Sequence, residues 1–220
     1  MSTPDARGSL ARGGMFVLGL VGRTGSGKST VARALRAEGA ELIEADRIGH
    51  DVTDRDPEVR AALVGEYGPS VYLANGALDR TRVADRVFRD ARALARLNAL
   101  VHPRIVQRIR ARLETIAASG FCGVVVVDAA LMLDWELDRE CDAVMAVVAD
   151  EAEQVKRLKT SRGWSDEEAR RRLASQRSNQ SFAAAADATL RNDGTEEELA
   201  RAAIDAVSRL RGAHDARGVR

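Results

Sequence analysis

Lysine is scarce in this sequence: it stands at Lys28, Lys156 and Lys159, and every other basic residue is arginine. Aromatic residues make up 4% of the 220 positions, which leaves few of the stacking platforms that a binder of single-stranded nucleic acid uses. The two cysteines, Cys122 and Cys141, have no C-x-x-C spacing and no nearby histidine, so no metal site is encoded around them. Each lies beside an apolar run, as buried thiols of a reducing compartment do. No apolar run reaches the length of a membrane span, and residues 1–14 lack the hydrophobic stretch of a signal peptide. A soluble cytoplasmic protein with a disordered tail over 1–14 is the expectation. Excess charge of one sign is missing too. With 34 Lys and Arg against 33 Asp and Glu, the net charge is +1, so any anion recognition is local and neither nucleic acid nor membrane is an expected partner.

Against that background Lys28 stands out, because it falls inside Gly22-Arg23-Thr24-Gly25-Ser26-Gly27-Lys28-Ser29-Thr30, which fills every fixed position of the phosphate-binding loop G-x-x-x-x-G-K-[ST]. The β-forming run Met15–Val21 precedes it and the helix-forming run Val31–Glu38 follows, the strand, loop, helix context the motif needs. Gly22, Gly25 and Gly27 let the backbone approach a polyphosphate, with successive N–H groups and the helix N-terminus facing negative charge. Lys28 is spaced to reach the outer phosphates and the Ser29 hydroxyl to hold Mg²⁺. With 45% hydrophobic residues the chain can bury one substantial core with a smaller inserted subdomain.

Further along, Glu41–Asp46 reads as a short strand with acids at 44 and 46 on one face, which puts Asp46 at the carboxyl end of a strand, where an α/β sheet binds its ligand. A carboxylate there can accept the proton of an attacking hydroxyl. From Asp56 to Ser119 the pattern is helical. Asp56-Pro57 looks like an N-cap with proline at the first helical position, and separate helices are expected over 79–88, 90–100 and from His102-Pro103 to Ala118. That block is too long for a simple crossover and reads as an inserted subdomain covering an acceptor. Gly123–Asp128 is a valine strand delivering Asp128 toward the metal, and Asp142–Ala149 is another buried strand.

Helices over Glu151–Thr160 and after Ser165 flank Ser161-Arg162-Gly163-Trp164, with Ser165 and Glu168 as a capping box. Their many arginines suit a lid that brings guanidinium charge to a transferring phosphoryl group. A last strand over 186–190, then a capping box of Thr195 and Glu198, lead into a closing helix to about Leu210, with the residues after Gly212 expected to fray.

In order and over nearly the whole chain, these residues resemble the dephospho-coenzyme A kinases. The resemblance is carried by the phosphate loop, Glu44-Ala45-Asp46 with His50, Gly76-Ala77-Leu78-Asp79-Arg80, Val87-Phe88 and His102-Pro103. It continues through Gln154–Leu158, Gln176, Ala186-Asp187 and Asn192-Asp193-Gly194. It implies an α/β P-loop kinase fold: a five-stranded parallel sheet flanked by helices, with a helical substrate domain over 55–118 and a helical lid over 156–177. The activity it implies is ATP-dependent phosphorylation of the ribose 3′-hydroxyl of dephospho-CoA, by a monomer or small homo-oligomer.

By the same resemblance, Gly22, Gly25, Ser26, Gly27, Lys28, Ser29 and Thr30 hold ATP, Ser29 and Asp128 hold Mg²⁺, and Asn192 lies against adenine. Asp46 is the base, with His50, Arg80, Phe88 and His102 on the acceptor side. Arg157 and Arg162 are the lid arginines chosen for the transition state. The family's usual arginine four residues after Arg157 is Ser161 here, so Arg162 can serve only if the lid helix ends or loosens there, since one residue rotates a side chain by about 100°. Ala130 and Asp134 also depart from the family pattern, in which a proline and a glutamate stand.

Other readings compete. No lysine follows an asparagine, so the N-K-x-D element of a GTPase is missing, and so is the L-S-G-G-Q of an ABC ATPase. A nucleoside or nucleotide kinase shares the loop, the acid and the lid. A nucleotide-dependent regulatory module with weak catalysis would have no need of Asp46.

Overall fold

The computed structural model describes residues 14–87 and 91–218. They form two compact units, one made of the residues up to Ile43 together with those from Glu114 onward, the other of Glu44–Leu113.

The first unit is built on a five-stranded sheet in the order β2-β3-β1-β4-β5. Its strands are β1 (Phe16–Val21), β2 (Glu41–Glu44), β3 (Val124–Asp128), β4 (Ala143–Val148) and β5 (Ala188–Arg191). β1 pairs in parallel with β3 and β4, and β4 with β5. Every residue of β1 and β4 is buried, which is why their sequences are continuous apolar runs rather than alternating ones. The edge strands β2 and β5 bury far less.

One device recurs where strands enter the sheet. Asp142 accepts the Val17 N–H at 2.7 Å while its own N–H donates to the Val17 carbonyl at 2.8 Å. Asp187 does the same to Val144, at 2.7 and 2.8 Å. Each carboxylate thus supplies a ladder bond one residue before its strand begins.

Helix α1 (Lys28–Ala37) buries Val31, Ala32 and Leu35, and α9 (Glu196–Gly218) buries Leu199, Ala203, Ala206 and Val207, in one cluster with Leu18, Leu20, Val126, Met145 and Val147 of the sheet. The capping box of α9 closes reciprocally: Thr195 N–H donates to Glu198 Oε2 at 2.8 Å, and Glu198 N–H to Thr195 Oγ1 at 3.2 Å. Beyond Gly212, where fraying is expected, α9 continues to Gly218, with contacts from its later turns to the start of the sheet. His214 packs edge-on against Phe16, with centroids 5.5 Å apart, and Arg211 donates to the Cys122 carbonyl at 2.9 Å.

The second unit holds α2 (Ala45–Arg55), α3 (Pro57–Tyr67), α4 (Arg80–Val87) and most of α5 (Ala91–Ala118). Asp56 caps α3 as the sequence indicates, accepting from Glu58 and Val59 N–H at 3.2 Å. Two expectations fail here. Glu44 and Asp46 do not share a strand face: the strand ends at Glu44, and α2 opens at Ala45 because burial of Ala45 and Val52 favours the helical period. Pro103 does not start a new helix but lies inside α5. The buried face Val101, Ile105, Val106, Ile109, Leu113 and Ile116 runs through it, and that packing outweighs the proline's missing donor.

Candidate active site

The loop between β1 and α1 is pressed against its neighbours where glycine is required. At Gly22, φ is +146° and a Cβ would lie 2.3 Å from the Val147 carbonyl oxygen of β4. At Gly27, which precedes α1 with φ +108°, a Cβ would lie 2.3 Å from Asn192 Nδ2. Any side chain at either position would force these segments apart.

Each carbonyl from Gly22 to Gly27 accepts a hydrogen bond. Lys28 Nζ donates to Gly22 O at 2.9 Å, Ser26 N–H to Arg23 O at 3.2 Å, and Gln154 Nε2 to Thr24 O at 3.0 Å. Arg157 donates to Gly25 O at 3.4 Å, Asn192 Nδ2 to Ser26 O at 2.8 Å, and the N–H groups of Thr30 and Val31 to Gly27 O at 3.0 and 3.2 Å. Carbonyls held this way cannot turn toward an anion. The first N–H groups of α1, on Lys28 and Ser29, have no intrahelical acceptor and carry the positive end of the helix dipole. An anion-binding nest results.

Ser29 is exposed at the head of α1. Asp128 ends β3 opposite Leu20 in β1, two residues before Gly22, so the carboxylate and the loop leave adjacent strands at the same end of the sheet. Among the described residues, no three His, Cys, Asp or Glu side chains gather as a metal cage. One hydroxyl and one carboxylate suit Mg²⁺, which takes the rest of its shell from water and phosphate.

The helices expected to form a lid, α6 (Glu151–Arg162) and α7 (Asp166–Ala174), share a small core of Val155, Leu158, Ala169 and Leu173, with Trp164 against it. Ser165 caps α7 by accepting the Glu168 N–H at 3.2 Å. After α7, α8 (Asn179–Ala185) leads into β5. Arg162 is the last residue of α6, exposed, and Gly163 ends the helix with φ +68°. Arg157, expected to reach a transferring group, donates to two backbone carbonyls, Gly25 O at 3.4 Å and Asn192 O at 3.0 Å. Asn192 itself is buried and its amide is spent on Ser26 O.

Loop and lid are also joined by Arg23, whose guanidinium meets Glu151 at 3.0 Å, and by Gln176, which binds Thr24 twice. Next to it, Arg177 donates from Nε and a terminal nitrogen to Asp134 Oδ1 at 2.9 and 2.7 Å. Asp134 raises the guanidinium's pKa by that hydrogen bonding and by its charge. The shortened acid at 134 is thus the anchor for the α7–α8 connection.

In the second unit Asp46 is exposed in the first turn of α2, and His50, also exposed, stands one turn later on the same helix face. Arg80 is brought to the other end of α2. It donates to Asp54 Oδ1 at 3.0 Å and Thr53 Oγ1 at 3.1 Å, and reaches the His50 carbonyl at 3.5 Å. His102 lies within α5, and Phe88 falls outside the described residues. Reading the sequence named Gln154 and Gln176 only as carriers of the resemblance, without a role, and did not single out Asn179 or Asp54. Glutamine and asparagine carry no spacing signature, and only folding shows which backbone groups they meet.

The chain is similar to known proteins over most of its length. A family model described as dephospho-CoA kinase matches residues 16–198. A dephospho-CoA kinase of Thermobifida fusca is 41% identical over 185 residues, covering 84% of this chain and 91% of that protein. One from Corynebacterium glutamicum is 38% identical over 185 residues, covering 84% and 94%. Among solved structures, a Thermus thermophilus protein aligns with TM-score 0.73 and 28% identity over 89% of this chain and 97% of its own. Dephospho-CoA kinase from Campylobacter jejuni aligns with TM-score 0.63 and 20% identity, over 89% and 97%.

Proposed function

The chain belongs to the dephospho-CoA kinase family, and from that premise we propose that it moves the terminal phosphoryl group of ATP to the ribose 3′-hydroxyl of dephospho-CoA, giving coenzyme A and ADP in coenzyme A synthesis. The observation that carries the ATP half is the run of carbonyls from Arg23 to Gly27 held by groups other than Lys28, which leaves the N–H groups of Gly25, Gly27, Lys28 and Ser29 for phosphate. Gly25, Ser26, Lys28, Ser29 and Thr30 line that nest. Lys28 leaves the Gly22 carbonyl for the outer phosphates when nucleotide arrives.

Ser29 and Asp128 would hold Mg²⁺, which neutralises phosphate charge when bound. Asp46 takes the proton of the acceptor hydroxyl as that oxygen attacks the outer phosphorus and the bond to the ADP oxygen breaks. Its support is the Glu44-Ala45-Asp46 pattern with His50 one turn on. Arg157 and Arg162 supply guanidinium charge to the transition state, and Asn192 lies on the adenine side of the loop. His50, Arg80, Phe88 and His102 belong to the acceptor side, with Arg80 ordering α2 through Asp54. We place the reaction in the cytoplasm; among the described residues no helix is long and apolar enough to cross a membrane.

The test is ADP release with ATP and Mg²⁺ against dephospho-CoA and a panel of nucleosides and nucleotides, the product identified by mass. Release that requires dephospho-CoA, with a product heavier by one phosphoryl group, is the expected result. Turnover with a nucleoside or nucleotide instead reassigns the acceptor. Nucleotide binding without turnover on any acceptor makes the chain a regulatory module.

A further inference from the structure

We propose that Gln176 is a positioning residue for ATP, acting through Thr24 of the phosphate loop; the inference rests on the loop's use of ATP. All three polar groups of Thr24 are taken by glutamine amides. Gln176 Oε1 accepts the Thr24 N–H at 2.9 Å, Gln176 Nε2 donates to the Thr24 hydroxyl at 2.8 Å, and Gln154 Nε2 donates to the Thr24 carbonyl at 3.0 Å. The peptides on both sides of Thr24 are therefore held from opposite ends. The N–H of Thr24 is withdrawn from the set that faces phosphate, and the loop crosses from Gly22 to Gly25 in one conformation.

Both glutamines are themselves held. Gln154 is fully buried in α6, where its Oε1 accepts from Asn179 Nδ2 at 3.3 Å, and Asn179 Nδ2 also reaches the Ala149 carbonyl at 2.7 Å. Gln176 lies in the short connection from α7 to α8, and the next residue, Arg177, is anchored on Asp134 at 2.7 Å, in the segment after β3. The side chain that sets Thr24 thus comes from a segment fixed at its other side. Without that bond the loop gains freedom that nucleotide binding must remove again, so affinity for nucleotide falls while the reacting groups stay unchanged.

The experiment compares Gln176→Ala, Thr24→Val and the double variant with the parent chain. It reads ADP affinity by calorimetry, KM for ATP, KM for dephospho-CoA, kcat and Tm. Gln176→Ala removes both bonds and is expected to weaken ADP binding and raise KM for ATP about tenfold, with KM for dephospho-CoA unchanged and kcat within about threefold. Thr24→Val removes the hydroxyl bond alone and is expected to weaken ADP binding about threefold. The double variant is expected to match Gln176→Ala rather than multiply the two effects, because both act through one contact.

ADP affinity unchanged in Gln176→Ala, or additive effects in the double variant, overturns the proposal. Should Gln176→Ala unfold at the assay temperature, Thr24→Val decides: it leaves Gln176 in place, and unchanged ADP affinity there overturns the proposal as well. A wrong acceptor has a different signature, because it leaves the ADP affinities as expected and removes only the turnover with dephospho-CoA. Failure of the parent chain to bind ADP at all removes the ATP reading and this proposal together.

Discussion

The side-chain amide of Asn192, just beyond β5, donates to the carbonyl of Ser26 in the phosphate loop at 2.8 Å, across 166 residues of sequence. The same amide lies where a side chain at Gly27 would begin. Asn192 therefore closes the back of the loop, and the space left at Gly27 is what lets it do so.

Gly27→Ala is expected to break this closure. The added methyl meets Asn192 Nδ2 at 2.3 Å, and the position sits at φ +108°, where a non-glycine residue is strained by about 1–3 kcal/mol. Denaturant unfolding should show a loss of that order, with ADP binding no longer measurable by calorimetry. Retention of parent-like ADP affinity would contradict the role given to the Asn192 contact.

Lys28→Ala removes the cation that rests 2.9 Å from the Gly22 carbonyl and that we propose serves the outer phosphates. Turnover should fall by about 10²–10³ or more, as when one preorganised donor to developing charge is lost. Single-turnover kinetics at saturating ATP would check this, and a loss confined to KM would assign Lys28 to binding alone.

Asp46→Asn keeps shape and removes the carboxylate proposed as proton acceptor. An expected decrease of about 10²–10⁴ in kcat, with ADP affinity preserved, separates general-base work from nucleotide binding. Full activity in this variant would take Asp46 out of the mechanism.

The lid turn carries a pair with a defined pH behaviour. Asp166 is held below its ordinary carboxylate value of 3.8, first by the hydrogen bond from Lys159 and then by that ammonium's charge, at 2.6 Å. Its contribution is complete above the unfolded-state value and is lost as pH falls through the lowered folded value. The stability gap between the parent chain and Asp166→Ala should therefore be constant from neutral pH down to about pH 5 and shrink only below about pH 4. Urea unfolding at several pH values checks it, and a gap that changes between pH 8 and 6 would assign the effect to another group.

Much of the fold was legible because its signals are local. The apolar runs of β1, β3 and β4 need burial on both faces, and the loop from Gly22 to Thr30 needs its glycines, lysine and serine in that order whatever surrounds them. The caps at Asp56, Ser165 and Thr195 are bonds to residues two or three positions away, so spacing reveals them. Where local signal and packing disagreed, packing won: Ala45 and Val52 turned the second acid onto a helix, and the buried face of α5 carried the chain through Pro103.

What the sequence by itself determined was the chemistry on offer, namely a polyphosphate loop with Lys28 and Ser29, Asp128 closing a valine strand, and an arginine-rich pair of helices after the fourth strand. Only the tertiary structure decided how the loop is held. Gln154, Arg157, Gln176 and Asn192 reach Thr24, Gly25 and Ser26 from more than 100 residues away. A side-chain amide or guanidinium can bond any carbonyl it meets, so its partner is chosen by the packing of helices against the sheet and not by its neighbours in sequence.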